Sequence, residues 1–347
     1  MSDPQPELFI ETTPEHLHAE WNLRPGLTDA DVRDAITAAR RAVVWLGGPN
    51  VLWGFGPSLW RRLSGGRLPS DVLDFTGIGP ANAAGVPVTQ SDVWLWVNGT
   101  AYPDVWQAAA KARDALSGVA TLERHQRAYK APESRDPTGF IDGTENPLTD
   151  EALAVALVPS GQPGAGGSAV FVQRWVHDLA AFEALPVAAQ EGVFGRTKPD
   201  SVQLPPAQMP ATSHVSRNTV TDAEGEELHI YRRNTPFADI DVAGTMFIGA
   251  TCETSRLNEM LRRMFDQAGD GLHDALIDFS TPTSGSWYYV PAMSDLTAVF
   301  GGLAGEEDEE AEEGDGAGAA DSEDGATPAG AAAPATSSLG IGSLFGR

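Results

Sequence analysis

One order of strands and helices runs through this chain twice, and that repetition constrains its architecture more than any single motif. In the first run, "HLHAEWNLRP" reads as an opening strand. The helix after it takes Thr28 as N-cap with Asp31 three residues on, and sets Val32, Ile36 and Ala39 along one face. "AVVWLGG" and "NVLWGFGP" read as strands, "SLWRRL" as a short basic helix, and "DVWLWVNG" alternates as a strand does. A helix then opens at Pro103 and ends before Gly118, and "VATLERHQRAYK" closes the run as a strand.

The second run repeats the theme. "SAVFVQRWVHD" is a strand, "LAAFEALPVAAQ" a helix, and "ELHIYRRNTPF" and "GTMFIGATC" are strands. "TSRLNEMLRRMFDQA" carries Leu257, Met260, Leu261, Met264 and Phe265 on one helical stripe, and "SGSWYYVP" is a last strand. The pattern predicts an α+β fold of two antiparallel-leaning βαββαβ-like modules, residues 1–150 and 151–302. A chain of 347 residues with 41% apolar side chains is long enough to fill two such cores.

Several classes of function fall away. The formal charge of −25 argues against nucleic acid and anionic membrane surfaces, which need clustered Lys and Arg. The single cysteine, Cys252, excludes an internal disulfide framework, Cys-rich zinc sites and thiolate-held iron–sulfur clusters. "MSDPQPELFIETT" has no basic segment followed by an apolar run, and no stretch approaches a membrane span. The expectation is a soluble, cytoplasmic, two-module protein.

The composition changes near Gly301. Residues 306–324 hold eleven acids and no base, and the segment through residue 338 has almost no large apolar residue. It reads as a disordered, charge-extended linker. Residues 339–347 then restore Leu339, Ile341, Leu344 and Phe345 before Arg347.

Among the histidines, His16 and His18 share one face of the first strand and read as a solvated edge pair, with no third metal ligand nearby. His125, His177, His229 and His273 stand in polar surroundings without a second ligand at metal spacing. His214, in "ATSHVSRNTV", is flanked by small residues that leave room for a bulky partner. In "IYRRNTPF", Arg232 and Asn234 stand two apart, so a strand would aim both at one side and Arg233 at the other. "TGFIDGTENP", residues 138–147, surrounds Asp142 with turn chemistry. Such an aspartate is a turn-former, a metal ligand or a proton-transfer group.

"GFIDGTENP", followed by "SHVSRNT" and "IYRRNTPF" in this order and spacing, resembles the dye-decolourising peroxidase family over about residues 8–303. The resemblance implies a duplicated ferredoxin-like fold of the dimeric α+β barrel type, a haem b cofactor and a homo-oligomer. It implies that His214 is the proximal iron ligand and that Asp142, Arg232 and Asn234 lie above the haem with Thr144 close by. A haem-ligating histidine needs an acceptor for its other ring nitrogen, and Asp278 in "LIDFSTPTSG" is a candidate, or else a turn cap. The implied activity is reduction of hydrogen peroxide with oxidation of dyes, phenols or similar donors, or alternatively haem or porphyrin carriage without turnover. The lack of long insertions resembles the compact cytoplasmic bacterial branch. "SSLGIGSLFGR" resembles the cargo-loading peptide that directs such peroxidases into encapsulin shells, which implies an encapsulin partner and a place inside its nanocompartment.

Overall fold

The computed structural model describes residues 3–45, 47–79 and 85–303. The acidic stretch and the 339–347 motif, expected as linker and loading peptide, lie outside the described residues. The first run becomes β1 (Glu15–Leu23), α1 (Asp29–Ala42), β2 (Asn50–Phe55), α2 (Pro57–Ser64), β3 (Val93–Gly99), α3 (Tyr102–Leu116) and β4 (Ala120–Tyr129). Helix α4 (Thr149–Ala156) follows. The second run comprises β5 (Ser168–His177), α5 (Leu179–Glu183), α6 (Val187–Phe194), α7 (His214–Asn218), β6 (Tyr231–Arg232), β7 (Thr235–Ala238), β8 (Ala243–Thr251), α8 (Thr254–Met264), β9 (Ser280–Pro282), β10 (Ser286–Val290) and α9 (Met293–Phe300).

These strands form one antiparallel sheet in the order β4-β1-β3-β2-β10-β5-β8-β6, with β7 also on β8 and β9 also on β5. Each half has the fourth-first-third-second order of a ferredoxin-like unit. In the second half β10 is fourth, β5 first, β8 third, and β6 with β7 second. The halves join where Phe55 of β2 pairs with Tyr289 of β10. Strands β4 and β7, from the two ends of this order, lie against one another, so the sheet curls back on itself.

Both faces of β3 are buried, which is why its residues 93–97 are apolar without interruption. Val93, Leu95 and Val97 join the core beneath α1 and α3, with Val32, Ile36, Val105 and Ala108. Trp94 and Trp96 turn the other way, onto Leu52, Val170, Ile248 and Tyr288. Each fully buried side chain of this size contributes about 1.5–3 kcal/mol relative to exposure. The capping box expected for α1 is present: Thr28 Oγ1 accepts from Asp31 N at 3.2 Å and Thr28 N donates to Asp31 Oδ2 at 2.9 Å.

The structure corrects the sequence reading in four places. "AVVWLGG" is not a strand; Val43 extends the buried stripe of α1 as its C-cap, while Val44 is exposed, so no two-residue alternation develops. "LAAFEALPVAAQ" is two helices, because Pro186 has no N–H to continue the first. "ELHIYRRNTPF" is two short strands, interrupted where Asn234 Oδ1 accepts from Ile248 N at 3.3 Å.

His16 and His18 are not a solvated edge pair. β1 lies inside the sheet between β4 and β3, and both rings are buried. His16 Nε2 donates to Thr13 O at 2.9 Å and its Nδ1 accepts from Trp96 Nε1 at 3.2 Å. Burial, and secondarily the positive charge of Arg233, pushes the His16 pKa down to about 4. Complete burial holds His18 well below the usual imidazole range, and its Nε2 meets Thr235 Oγ1 of β7 at 3.0 Å.

Candidate active site

The loop between β4 and α4 is a small hairpin. Asp136 N donates to Phe140 O at 2.9 Å, Asp142 N donates to Ser134 O at 2.9 Å, and Arg135 bridges to Ile141. Asp-Pro-Thr-Gly makes its tip: Asp136 Oδ1 accepts from Thr138 N at 2.9 Å, and Gly139 takes φ 86°, where a side chain would be strained. Gly143, at φ 82°, turns the chain again directly after Asp142.

Asn146 then fastens this loop to the second half. Its Nδ2 donates to Arg232 O at 2.6 Å and its Oδ1 accepts from Arg232 N at 2.9 Å. One amide therefore satisfies both backbone groups of Arg232 and fixes that residue relative to Asp142. Among the described residues the Arg232 guanidinium has no hydrogen-bond partner, whereas Arg233 is buried and donates to Leu8 O and Ile10 O. The i, i+2 separation expected for these arginine neighbours holds for Arg232 and Asn234, which line the same cavity.

His214 opens α7. Ser213 caps the helix, its Oγ accepting from Ser216 N at 3.2 Å, and this sets the imidazole at the helix start. His214 Nδ1 donates to Asp274 Oδ2 at 2.6 Å. Asp274 is fully buried; Asn218 Nδ2 donates to the same oxygen at 3.3 Å and Leu276 N donates to Oδ1 at 2.9 Å. With Nδ1 turned to Asp274, Nε2 is the ring nitrogen left for the cavity that His214 lines. The expected acceptor, Asp278, is elsewhere: it sits on the surface and takes His273 Nε2 at 3.0 Å. Asp274 replaces it because the 3₁₀ turn at Ala275–Asp278 directs the first acid inward and the last outward.

A cavity of about 310 Å³ collects these groups. Asp142, Thr144, His214, Arg232 and Asn234 all line it, and Asp278 does not. The remaining wall is largely apolar, with Phe194, Phe247, Leu257, Met260, Leu261 and Met264. The apolar stripe read in α8 thus serves the cavity as well as the core. Thr144 Oγ1 contacts Ser201 Oγ at 3.2 Å, and Glu145 pairs with Arg196 at 2.8 Å on the rim.

Sequence reasoning passed over two residues here. Asp274 lies 60 positions from His214, and nothing local to either residue announces the pair. His177 also lines the cavity, with Nδ1 on Ser280 Oγ at 2.8 Å and Nε2 on Thr245 Oγ1 at 3.2 Å. Burial lowers its pKa to about 4, so it is a neutral, hydrogen-bonded wall residue at ordinary pH. A position at the end of a doubly buried strand was the available signal.

Residues 133–295 match the family model described as Dyp-type peroxidase, C-terminal. The dye-decolorizing peroxidase of Mycolicibacterium paratuberculosis (strain ATCC BAA-968 / K-10) is 34% identical over 247 residues, covering 70% of this chain and 69% of its own length. That of Brevibacterium linens is 33% identical over 303 residues, covering 85% and 82%. A variant of DypB from Rhodococcus jostii RHA1, solved in complex with haem, superposes with a TM-score of 0.76 at 31% identity over 83% of this chain and 96% of that one. A dye-decolorizing protein from V. cholerae gives 0.76 at 31% identity over 85% and 99%. With identity of this level over more than two thirds of both chains, and with the fold shared, the chain belongs to the dye-decolourising (Dyp-type) peroxidase family.

Proposed function

We propose that this cavity binds haem b through His214 and that the chain is a hydrogen-peroxide-reducing peroxidase whose distal groups are Asp142, Arg232 and Asn234. The observation that carries the reading is the His214–Asp274 pair, which leaves one imidazole nitrogen free toward a cavity with an apolar wall of Phe194, Phe247, Leu257, Met260, Leu261 and Met264 on one part of its lining. A planar apolar macrocycle with one axial position to fill suits that donor and that wall. Asp274, in place of Asp278, raises the basicity of the ligand through Nδ1–H.

When bound, haem supplies the redox centre that accepts two oxidising equivalents from peroxide and passes them to donor molecules one electron at a time. The protein's own part is proton and charge management. Peroxide must lose a proton from one oxygen and gain one at the other while the O–O bond breaks. Asp142 is the group that holds that proton in transit, directly or through a water. Arg232, with its guanidinium unpaired among the described residues, stabilises the negative charge that develops on the departing oxygen. Asn234 orients peroxide or water, and Thr144 borders the same space. A porphyrin carrier would need His214 and the wall but not an acid and a free guanidinium together.

The test is an absorption spectrum of purified protein before and after one equivalent of peroxide. A Soret band that shifts and then recovers on addition of an electron donor supports the reading; protein that refuses added haemin overturns it.

The reading extends to packaging. Leu339, Ile341 and Leu344 fit an extended peptide laid in an apolar groove of an encapsulin shell. For a flexible chain of the acidic segment's length, about 35 residues, the root-mean-square reach is roughly 30–35 Å. Deleting residues 339–347 should leave haem absorbance intact and abolish co-purification with a co-expressed shell. Shells that still carry full haem would place loading elsewhere.

A further inference from the structure

A second, smaller cavity of about 140 Å³ adjoins the large one. Asp136 and Asp142 line both, together with Arg232 and Asn234. The Arg135–Ile141 bridge sets Asp136 and Asp142 on one face of the hairpin, by the two-residue alternation of paired strands, and Arg135 on the other. Arg135 accordingly spends its guanidinium on Gly139 O, Lys198 O and Glu133, not on its neighbour. Asp136 has no cation within ion-pair distance among the described residues; its contacts are Thr138 N and Thr138 Oγ1, both on Oδ1.

Resting on the distal reading above, we propose that Asp136 is a positioning residue for the peroxide reaction: a second acid whose charge sets how readily Asp142 serves as the base. Two carboxylates in one poorly hydrated space oppose each other's ionisation. When Asp136 is neutral, it adds nothing to the pull of Asp142 on the peroxide proton. When Asp136 is ionised, its negative charge favours a proton arriving at Asp142, and the peroxide reaction quickens. Only protons change place in this scheme, between peroxide, Asp142 and solvent.

The pH at which this switch acts follows from the surroundings. Burial, only partly offset by the Thr138 hydroxyl, and further the charge of Asp142, raise the Asp136 pKa to about 6. The other ionisable groups facing the small cavity are Glu11, His16, Lys130, Arg135, Arg232 and Arg233; Glu145, His177, Arg196, His214 and Glu227 face the large one. His16 and His177 are held neutral, each near 4, and the arginines stay charged. Asp136 therefore changes charge around pH 6.

Asp136→Asn separates charge from structure, because asparagine keeps an oxygen for the Thr138 donors and forms the same turn. In the haem-loaded wild type, the stopped-flow rate of peroxide oxidation should rise severalfold as pH rises through about 6. In D136N that inflection should vanish while haem content stays at the wild-type level. Thr138→Val removes a hydrogen bond that favours the ionised form, so its inflection should move to higher pH. An infrared pH titration of the full-length protein, read at the protonated-carboxyl stretch, should show a group titrating near pH 6 that is missing in D136N. That arm needs no turnover, so it stands or falls apart from the distal assignment, which Asp142→Asn tests. An unchanged pH profile in D136N, or no carboxyl titrating near 6, overturns the proposal.

Discussion

The two sides of the large cavity are built on different principles. Around His214 the polar groups behind the ring are committed, and only the cavity-facing Nε2 is left over: the imidazole Nδ1 has Asp274, and both Asp274 oxygens are filled by His214, Asn218 and the Leu276 amide. Around Asp142 and Arg232 the backbone is committed and, among the described residues, the side chains are not. Asp142 is tied by its amide to Ser134, and Arg232 by both backbone groups to Asn146. A buried, satisfied network resists change and fixes one geometry. Free donors and acceptors on a fixed backbone keep their hydrogen-bonding capacity for a molecule that arrives later. On the proposed function, one side holds and the other reacts.

The largest effect should come from breaking the holding side. His214→Ala removes the one cavity-facing imidazole with a buried carboxylate behind it, so haem content of the purified variant should drop to near zero. Wild-type haem content would mean that another residue holds the iron, and the contrast between the two sides would have no basis.

On the reacting side, substitutions should leave haem in place and cost rate. Asp142→Asn should slow peroxide oxidation by about 10²–10⁴-fold if proton transfer dominates. Arg232→Leu should cost roughly 10²–10³-fold if charge stabilisation dominates. Stopped-flow traces rank the two. Wild-type rates in both variants would remove the distal assignment.

A subtler substitution tests whether the buried carboxylate is part of the holding side. Asp274→Asn keeps the shape but takes away the charge that polarises Nδ1–H. Loss of such a partner costs about 10–100-fold in affinity or activity. The ferric/ferrous potential should rise, since a less basic ligand stabilises the ferric state less. A potential equal to wild type would mean that the 2.6 Å contact is only packing.

The same contrast explains what the sequence disclosed. The reacting side was legible because its residues lie in compact stretches: Asp142 within a run of turn residues, Arg232 and Asn234 two apart on a strand. The βαββαβ-like succession of elements in each half was legible from the repeated pattern, since local periodicity sets each element; the fourth-first-third-second pairing was read only in the structure. The holding side was only half legible. His214 stood out by its small neighbours, but Asp274 meets it through the packing of α8 and the turn after it, a relation with no local trace. His16 and His18 failed in the opposite sense. Their alternation marked one face correctly, but which face is wet depends on where β1 falls in the sheet, and an interior place beside Trp94 and Trp96 turns polar residues into core.

The smallest effect belongs to the acid that local reading favoured. Asp278 lies four positions from Asp274, is more than half exposed, and pairs with His273, itself nearly half exposed, at 3.0 Å. An exposed pair of this kind is worth about 0–1 kcal/mol. Asp278→Asn should therefore leave haem content, the Soret maximum and the iron potential at their wild-type values, beside the raised potential of Asp274→Asn. The two variants make the same chemical change on one turn, so solvent exposure and direction are the main differences between them. If Asp278→Asn shifts the potential as far as Asp274→Asn does, the iron is sensing net charge on that turn rather than a hydrogen bond to His214. The distinction between a satisfied holding side and a free reacting side would then rest on electrostatics at a distance.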